Sequence, residues 1–216
     1  MSIRIDIVSD VVCPWCIVGY RKLQRALEQL GDAAPEVTVR WHPFELNPHM
    51  PPEGQDLREH LREKYGTSVE QSRGVRQRLT AIGAELGFAF DFNDEMRIYN
   101  TFRAHQLLAW ADEQGQTTAL ELALFETYFK RQQNLYDIGV LGETAARAGL
   151  DGAQAERVLH DQIYSDAVRT HEREWLHKGV HAVPTFVLDD RYLIPGAQDP
   201  EVFIDAFGRV SRDNVA

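Results

Sequence analysis

The chain holds only two cysteines, and they stand two residues apart in Cys13-Pro14-Trp15-Cys16. A thiol pair at this spacing does redox chemistry when a strand leads into it and a helix leads out, because one sulfur then sits at a helix N-terminus. Unpaired N–H groups and the positive end of the helix dipole favour a thiolate over a thiol there. Cys13 is therefore expected to be the nucleophile and the accessible thiol. Cys16, one turn further in, is placed to attack a mixed disulfide on Cys13 and release the product. Pro14 suits the first helical position, where a missing N–H costs nothing. Trp15 is expected as an apolar lip beside the sulfurs, in contact with substrate.

The flanking segments supply the elements this chemistry needs. Ile3-Arg4-Ile5-Asp6-Ile7-Val8 alternates apolar and polar residues up to the motif, as a half-buried strand does. After the motif, Ile17, Tyr20, Leu23, Leu27 and Leu30 recur at steps of three and four, which predicts one buried helix face ended by Gly31. Val37, Val39 and Trp41 then alternate with Thr38, Arg40 and His42 in a second strand that stops at Pro43. Strand, helix and strand make a parallel pair with a right-handed crossover.

Residues 45–178 read differently, as a series of helical patterns with no strand signal apart from Phe88-Ala89-Phe90. Ile98, Phe102, Leu107, Leu108 and Trp110 mark one helix, and Leu120, Leu122, Leu124, Phe125, Tyr128 and Phe129 another. Further helices are expected over residues 140–149 and 153–177. The strand signal returns in Thr185-Phe186-Val187-Leu188 and Arg191-Tyr192-Leu193-Ile194, a hairpin about Asp189-Asp190. A last helix follows through Val202, Phe203, Ala206, Phe207 and Val210, with Asp199 as its cap ahead of Pro200. The expected fold is α/β, with a large all-helical insertion between the second and third strands. The sheet-forming domain comprises residues 1–44 and 179–216, and the insertion residues 45–178.

Composition narrows the function. A chain of 216 residues, 44% hydrophobic and 26% charged, has material for a sizeable core. Its net charge of -10 argues against a general nucleic-acid or membrane-surface role. The N-terminus enters a strand pattern at once, without a secretion signal, and no apolar run reaches membrane-spanning length. The expectation is a cytoplasmic protein, where a lone cysteine pair is more often catalytic than structural. No metal is expected. His177 and His181 have finger-like spacing, but they lie too far in sequence from Cys16 for a zinc finger. His171-Glu172 lacks the second histidine of a zincin, and Asp91, Asn93 and Glu95 begin a calcium loop that Met96 and Phe102 spoil. Asp10, just before the motif, carries a charge that opposes the helix in holding a thiolate.

Four landmarks carry a family likeness: the Cys13-Pro14-Trp15-Cys16 motif, the helical insertion, the segment Asn100-Thr101-Phe102-Arg103-Ala104-His105, and Val183-Pro184-Thr185 followed by Pro195-Gly196-Ala197-Gln198. With them the chain resembles the DsbA branch of the thioredoxin superfamily, most closely its cytosolic FrnE-like dithiol-disulfide isomerases. The resemblance implies a thioredoxin-like fold, a redox-active Cys13–Cys16 disulfide and no bound cofactor. It also implies a cis bond at Pro184 facing the cysteine pair, with the Val183 backbone offering hydrogen bonds to a substrate strand or to glutathione. Asn100 and His105 are candidates for the substrate groove, and His105 reads equally well as a core histidine.

The implied activity is that of a protein disulfide oxidoreductase or isomerase acting on disulfide-containing proteins or small thiols. Glutathione is a candidate co-substrate, and the protein a monomer or homodimer. A sister group, the 2-hydroxychromene-2-carboxylate isomerases and kappa-class glutathione transferases, shares the fold and generally carries serine in place of Cys13. It supplies the alternative of a glutathione-dependent isomerase or transferase. A third reading is a non-catalytic protein whose cysteine pair senses redox state.

Overall fold

Isoleucine at every second position buries one face of the first strand, β1 (Ser2–Ser9), where Ile3, Ile5 and Ile7 are fully enclosed. A fully buried side chain of this size contributes on the order of 1.5–3 kcal/mol, so the strand belongs in the middle of a sheet. It lies there in the computed structural model, which describes residues 2–213; Met1 and residues 214–216 of the expected outer spans fall outside. β2 (Glu36–Pro43) runs parallel to β1, with Ile5 opposite Val39. β5 (Thr185–Leu188) runs antiparallel on the other side, with Ile5 opposite Leu188, and β6 (Tyr192–Pro195) completes the order β2-β1-β5-β6.

The chain folds as two compact units, Met1–Phe44 with Thr170–Ala216, and Glu45–Arg169. In the first, the isoleucine face of the sheet is covered by α1 (Pro14–Leu30) and α9 (Pro200–Asp213), with Phe186 set edge-on against Phe203 at 5.0 Å. Gly19 lets α1 come this close. A Cβ there would stand 3.0 Å from Phe186 Cζ and 3.2 Å from Pro184 Cγ. The β5–β6 hairpin turns through Asp189 and Asp190, at φ of +48° and +56°, which are two left-handed positions of the kind a type I′ turn needs and aspartate tolerates.

The opposite face of the sheet is mixed. Asp6 is 4% exposed and accepts bonds from Arg4 Nε and His42 Nε2, both at 2.8 Å. Burial pushes the Asp6 carboxyl up, but the bonds from His42 and Arg4 outweigh it and hold the group below the usual carboxylate range. The His42 ring lies against Trp175 at 4.7 Å, and Trp175 packs with Val8, Val180 and Val187. Trp175 sits in α8 (Ser165–His177), so the chain rejoins the sheet unit within that helix, earlier than the composition change at Gly179 suggests.

The second unit contains α2 (Leu57–Tyr65), α3 (Val69–Glu85), α4 (Phe102–Asp112), α5 (Thr117–Phe129), α6 (Ile138–Arg147), α7 (Gly152–His160) and the start of α8. Its core includes Leu107, Leu120, Phe125, Tyr128, Phe129 and Leu141. Three expectations change here. The insertion is not all-helical, because β3 (Gln55–Asp56) pairs antiparallel with β4 (Arg97–Ile98), which places Ile98 in a strand and not in the helix that starts at Phe102. Phe88-Ala89-Phe90 is no strand; the two rings are held in an aromatic cluster with Phe92 and Phe129. Residues 153–177 form two helices, separated by a turn in which Gln162 takes a φ of +52°. And α2 and α3 lie where no apolar stripe singles out a helix.

Candidate active site

The site is assembled where β1 ends and α1 begins. Ser9, the last strand residue, is 2% exposed, and its carbonyl accepts the Phe44 N–H at 3.1 Å. Asp10 is fully buried; its carbonyl accepts the Cys13 N–H at 2.9 Å, and its carboxylate faces the Val12 N–H. Cys13 is thus delivered in an extended conformation (φ -88°, ψ 110°) as the N-cap of α1, with Pro14 in the first helical turn. No side chain caps this helix, and its first turn holds no acidic residue. Pro14 brings no N–H to this first turn, and the Cys16 N–H donates to the Cys13 carbonyl at 3.1 Å.

Cys13 and Cys16 are both free thiols. Cys16 is fully buried and Cys13 is 4% exposed. The ranking follows from their places on the helix, but Cys13 is far less open than a helix start suggests, because the Val183 carbonyl lies 3.8 Å from its sulfur and accepts its S–H. Burial pushes the Cys16 thiol well up. Its hydrogen-bonding and electrostatic interaction with Cys13 pushes the same way, while the Asp10 backbone N–H and the Ser9 hydroxyl pull it down. Ser9 was not singled out from the sequence; a hydroxyl at the last position of a strand carries no distinctive signal.

The Val183–Pro184 bond is cis. Its loop is held from both sides, by Gly196 N–H donating to the Pro184 carbonyl at 2.8 Å and by Thr185 Oγ1 donating to the Ala182 carbonyl at 2.8 Å. Lys22 of α1 reaches the Ala197 carbonyl at 3.2 Å and Asp199 at 2.6 Å, tying the segment before α9 to the active helix. Pro14 and Trp15 are half-buried beside the sulfurs in sequence. Cys13, Cys16, Pro14, Trp15, Val183 and Pro184 all belong to the sheet unit. Asn100 and His105 belong to the other, and local packing occupies the first of them: Asn100 Oδ1 accepts the Phe102 N–H at 2.9 Å at the start of α4, and its Nδ2 reaches the Pro48 carbonyl at 3.4 Å. His105 is 2% exposed within α4.

His177 and His181 are exposed, and among the described residues no three or more His, Cys, Asp or Glu are grouped to hold a metal ion. No helix of the described residues is long and apolar enough to cross a membrane.

The fold has known counterparts. The fold matches a probable DsbA oxidoreductase from Streptomyces coelicolor at 37% identity and a TM-score of 0.89, over 96% of this chain and 89% of that one. At lower identity it matches a 2-hydroxychromene-2-carboxylate isomerase (16%, TM-score 0.70, 98% of each chain). It also matches the cytosolic disulfide reductase DsbM of Pseudomonas aeruginosa, solved with GSH (18%, TM-score 0.62, 97% of this chain and 99% of that one). The sequence model of the DSBA-like thioredoxin domain covers residues 4–208, and the chain therefore belongs to the DSBA-like thioredoxin domain family.

Proposed function

We propose that this protein is a thiol–disulfide oxidoreductase or isomerase in which Cys13 attacks and Cys16 resolves. The observation that carries the reading is the Cys13 sulfur at the uncapped N-terminus of α1, with a second, fully buried thiol three residues further along the same helix. The Cys13 thiolate attacks one sulfur of a substrate disulfide, and the other sulfur leaves as a thiolate and takes up a proton. Cys16 then gives up its proton and attacks the Cys13 sulfur; the Cys13–Cys16 bond forms as the bond to substrate breaks. Two cysteines are oxidised and one substrate disulfide is reduced. The reverse sequence oxidises a substrate dithiol. Val183 and Pro184 shape the substrate groove, with the Val183 carbonyl next to the reacting sulfur.

Disulfide-containing proteins and small thiols are the proposed substrates, glutathione the proposed co-substrate, and the cytoplasm the proposed compartment. Reduction of a protein disulfide by the reduced enzyme tests the assignment, with equilibration against a glutathione buffer to set its direction. Loss of turnover in Cys13→Ser and accumulation of mixed disulfide in Cys16→Ser are the expected results. A parent protein that turns over no disulfide would overturn the reading in favour of a redox sensor. The shared fold of a 2-hydroxychromene-2-carboxylate isomerase supports a second reading, glutathione-dependent isomerisation of a small organic molecule. Under that reading Cys13→Ser keeps its glutathione-dependent activity.

A further inference from the structure

The landmark Pro195-Gly196-Ala197-Gln198 joins the end of β6 to the start of α9 and is braced on itself. Gln198 Nε2 donates to the Pro195 carbonyl at 2.7 Å, and the Gln198 N–H to the Gly196 carbonyl at 3.0 Å. Two of its backbone groups reach outward. The Gly196 N–H donates to the Pro184 carbonyl at 2.8 Å, and the Ala197 carbonyl accepts from Lys22 Nζ at 3.2 Å. Lys22 lies in α1, one turn past Gly19, where the helix closes on Pro184. Its side chain is only 17% exposed, and its ammonium is shared between the Ala197 carbonyl and Asp199. A charge so far withdrawn from water is stable only where its acceptors hold it, so the bond to Ala197 fixes both partners. These contacts close a ring. α1 carries the Cys13 sulfur at its start and Lys22 further along; Lys22 holds Ala197, Gly196 holds the Pro184 carbonyl, and the neighbouring Val183 carbonyl lies 3.8 Å from the same sulfur.

We infer that Lys22 is a positioning residue for the substrate: through Ala197 and Gly196 it sets where the Val183-Pro184 backbone stands relative to the Cys13 sulfur. The ring thereby favours extended peptide disulfides, which must lie along that backbone as they react, over small reagents, which need only reach the sulfur. The two acceptors of Lys22 differ in weight. Asp199 is 75% exposed, so its ion pair is screened by water and contributes little. The Ala197 carbonyl belongs to the braced segment and passes the position on. Misplacing a docking group by about 1 Å costs on the order of 10²-fold in rate, so a small drift of this segment is enough to be read. The inference rests on the proposed disulfide exchange in the Val183-Pro184 groove.

Single-turnover reduction of a disulfide-bridged peptide, followed against peptide concentration, gives a half-saturating concentration and a limiting rate. Alkylation by iodoacetamide gives the reactivity of Cys13 apart from docking. Lys22→Met keeps the apolar stem and removes the ammonium. In it the efficiency of peptide exchange is expected to fall about tenfold or more, through a raised half-saturating concentration, while alkylation is at least as fast as in the parent. Lys22→Arg, which can still donate to the Ala197 carbonyl, is expected to recover most of the loss, and Asp199→Asn to show none. Lys22→Gln carries the same test if Lys22→Met fails to fold. An unchanged half-saturating concentration in a folded variant without the ammonium overturns the positioning role. An equal fall in peptide exchange and alkylation also overturns it, because it marks simple loosening of α1. The same loss in Asp199→Asn assigns the effect to the ion pair and overturns the route through Ala197. A parent protein that reduces no disulfide peptide overturns the oxidoreductase reading itself, a distinct failure.

Discussion

Four helix starts of the second unit follow a rule that the start of α1 does not. In the second unit α2, α3, α6 and α7 begin with Asp56, Ser68, Asp137 and Asp151, each of whose side chains accepts a backbone N–H of the first turn. At Ser68 the bond is reciprocated by Gln71 in a full capping box. In the sheet unit α1 begins with Cys13, whose side chain makes no such bond. An oxygen cap is worth about 1 kcal/mol of stability. These four supporting helices take it; α1 does without, as do α4 and α5, and at α1 the capping position is held by the Cys13 sulfur instead of an oxygen. Stability at the active helix comes instead from packing, through Gly19 against Phe186 and the burial of Ile17, Tyr20 and Leu23.

The sharpest way to break this contrast is Cys13→Ser, which turns the start of α1 into an ordinary capped one. Disulfide exchange should fall to background, while thermal stability stays level or rises by roughly 2–4 °C, the equivalent of about 1 kcal/mol in a chain of this size. A clear drop in melting temperature would show that Cys13 stabilises the helix start and that the contrast is false. Next in size is Gly19→Val. The added atoms meet Phe186 and Pro184 at less than van der Waals distance, so a loss of about 1–3 kcal/mol in denaturant unfolding is expected. The same substitution at Gly74, where nothing stands within 4 Å, should cost only its smaller helix-propensity difference.

Removing a cap in the second unit supplies the complementary measurement. Asp137→Ala and Asp151→Ala should each cost about 1 kcal/mol and leave the alkylation rate of Cys13 unchanged. Changed thiol reactivity in either would mean that these caps do more than hold their helices. The smallest effect concerns acid. The folded-state Asp6 carboxyl lies below its ordinary value, near 3.9, because the bonds from His42 and Arg4 outweigh burial. Its stabilisation is therefore present above that ordinary value and is lost as pH falls through the lower folded one. Acid unfolding of Asp6→Asn should be shallower than that of the parent below about pH 4, and equal slopes would remove Asp6 from the account.

The sheet unit was legible because its signals are local and strong. Alternation around Ile5 and Val39, the helical step from Ile17 to Leu30, and the turn at Asp189-Asp190 each coincide with an observed element. The second unit was legible only where a helix buries much. α3 encloses little more than Ser72, Leu79 and Gly83, and α2 only His60, so neither shows a stripe. The break before α8 depends on Gln162 in a left-handed conformation, with no glycine or proline to announce it. At the site, the cysteine motif could be read directly. The shelter of Cys13 under the Val183 carbonyl could not, since it joins residues 170 positions apart.

That separation bears on how the protein is made. β1 has its parallel partner within the first 43 residues, yet its other edge closes only when Ile5 meets Leu188. At about 5–20 residues per second, the ribosome takes roughly eight to thirty seconds to supply the missing strands. The second unit is continuous in sequence and complete by Arg169, so it is free to fold first. Throughout that interval Cys13 and Cys16 are already on the nascent chain, while Val183, whose carbonyl shelters Cys13, is still to be made. A newly made molecule therefore meets the oxidants and thiols of its surroundings with both sulfurs open, and its first redox state is the one they impose.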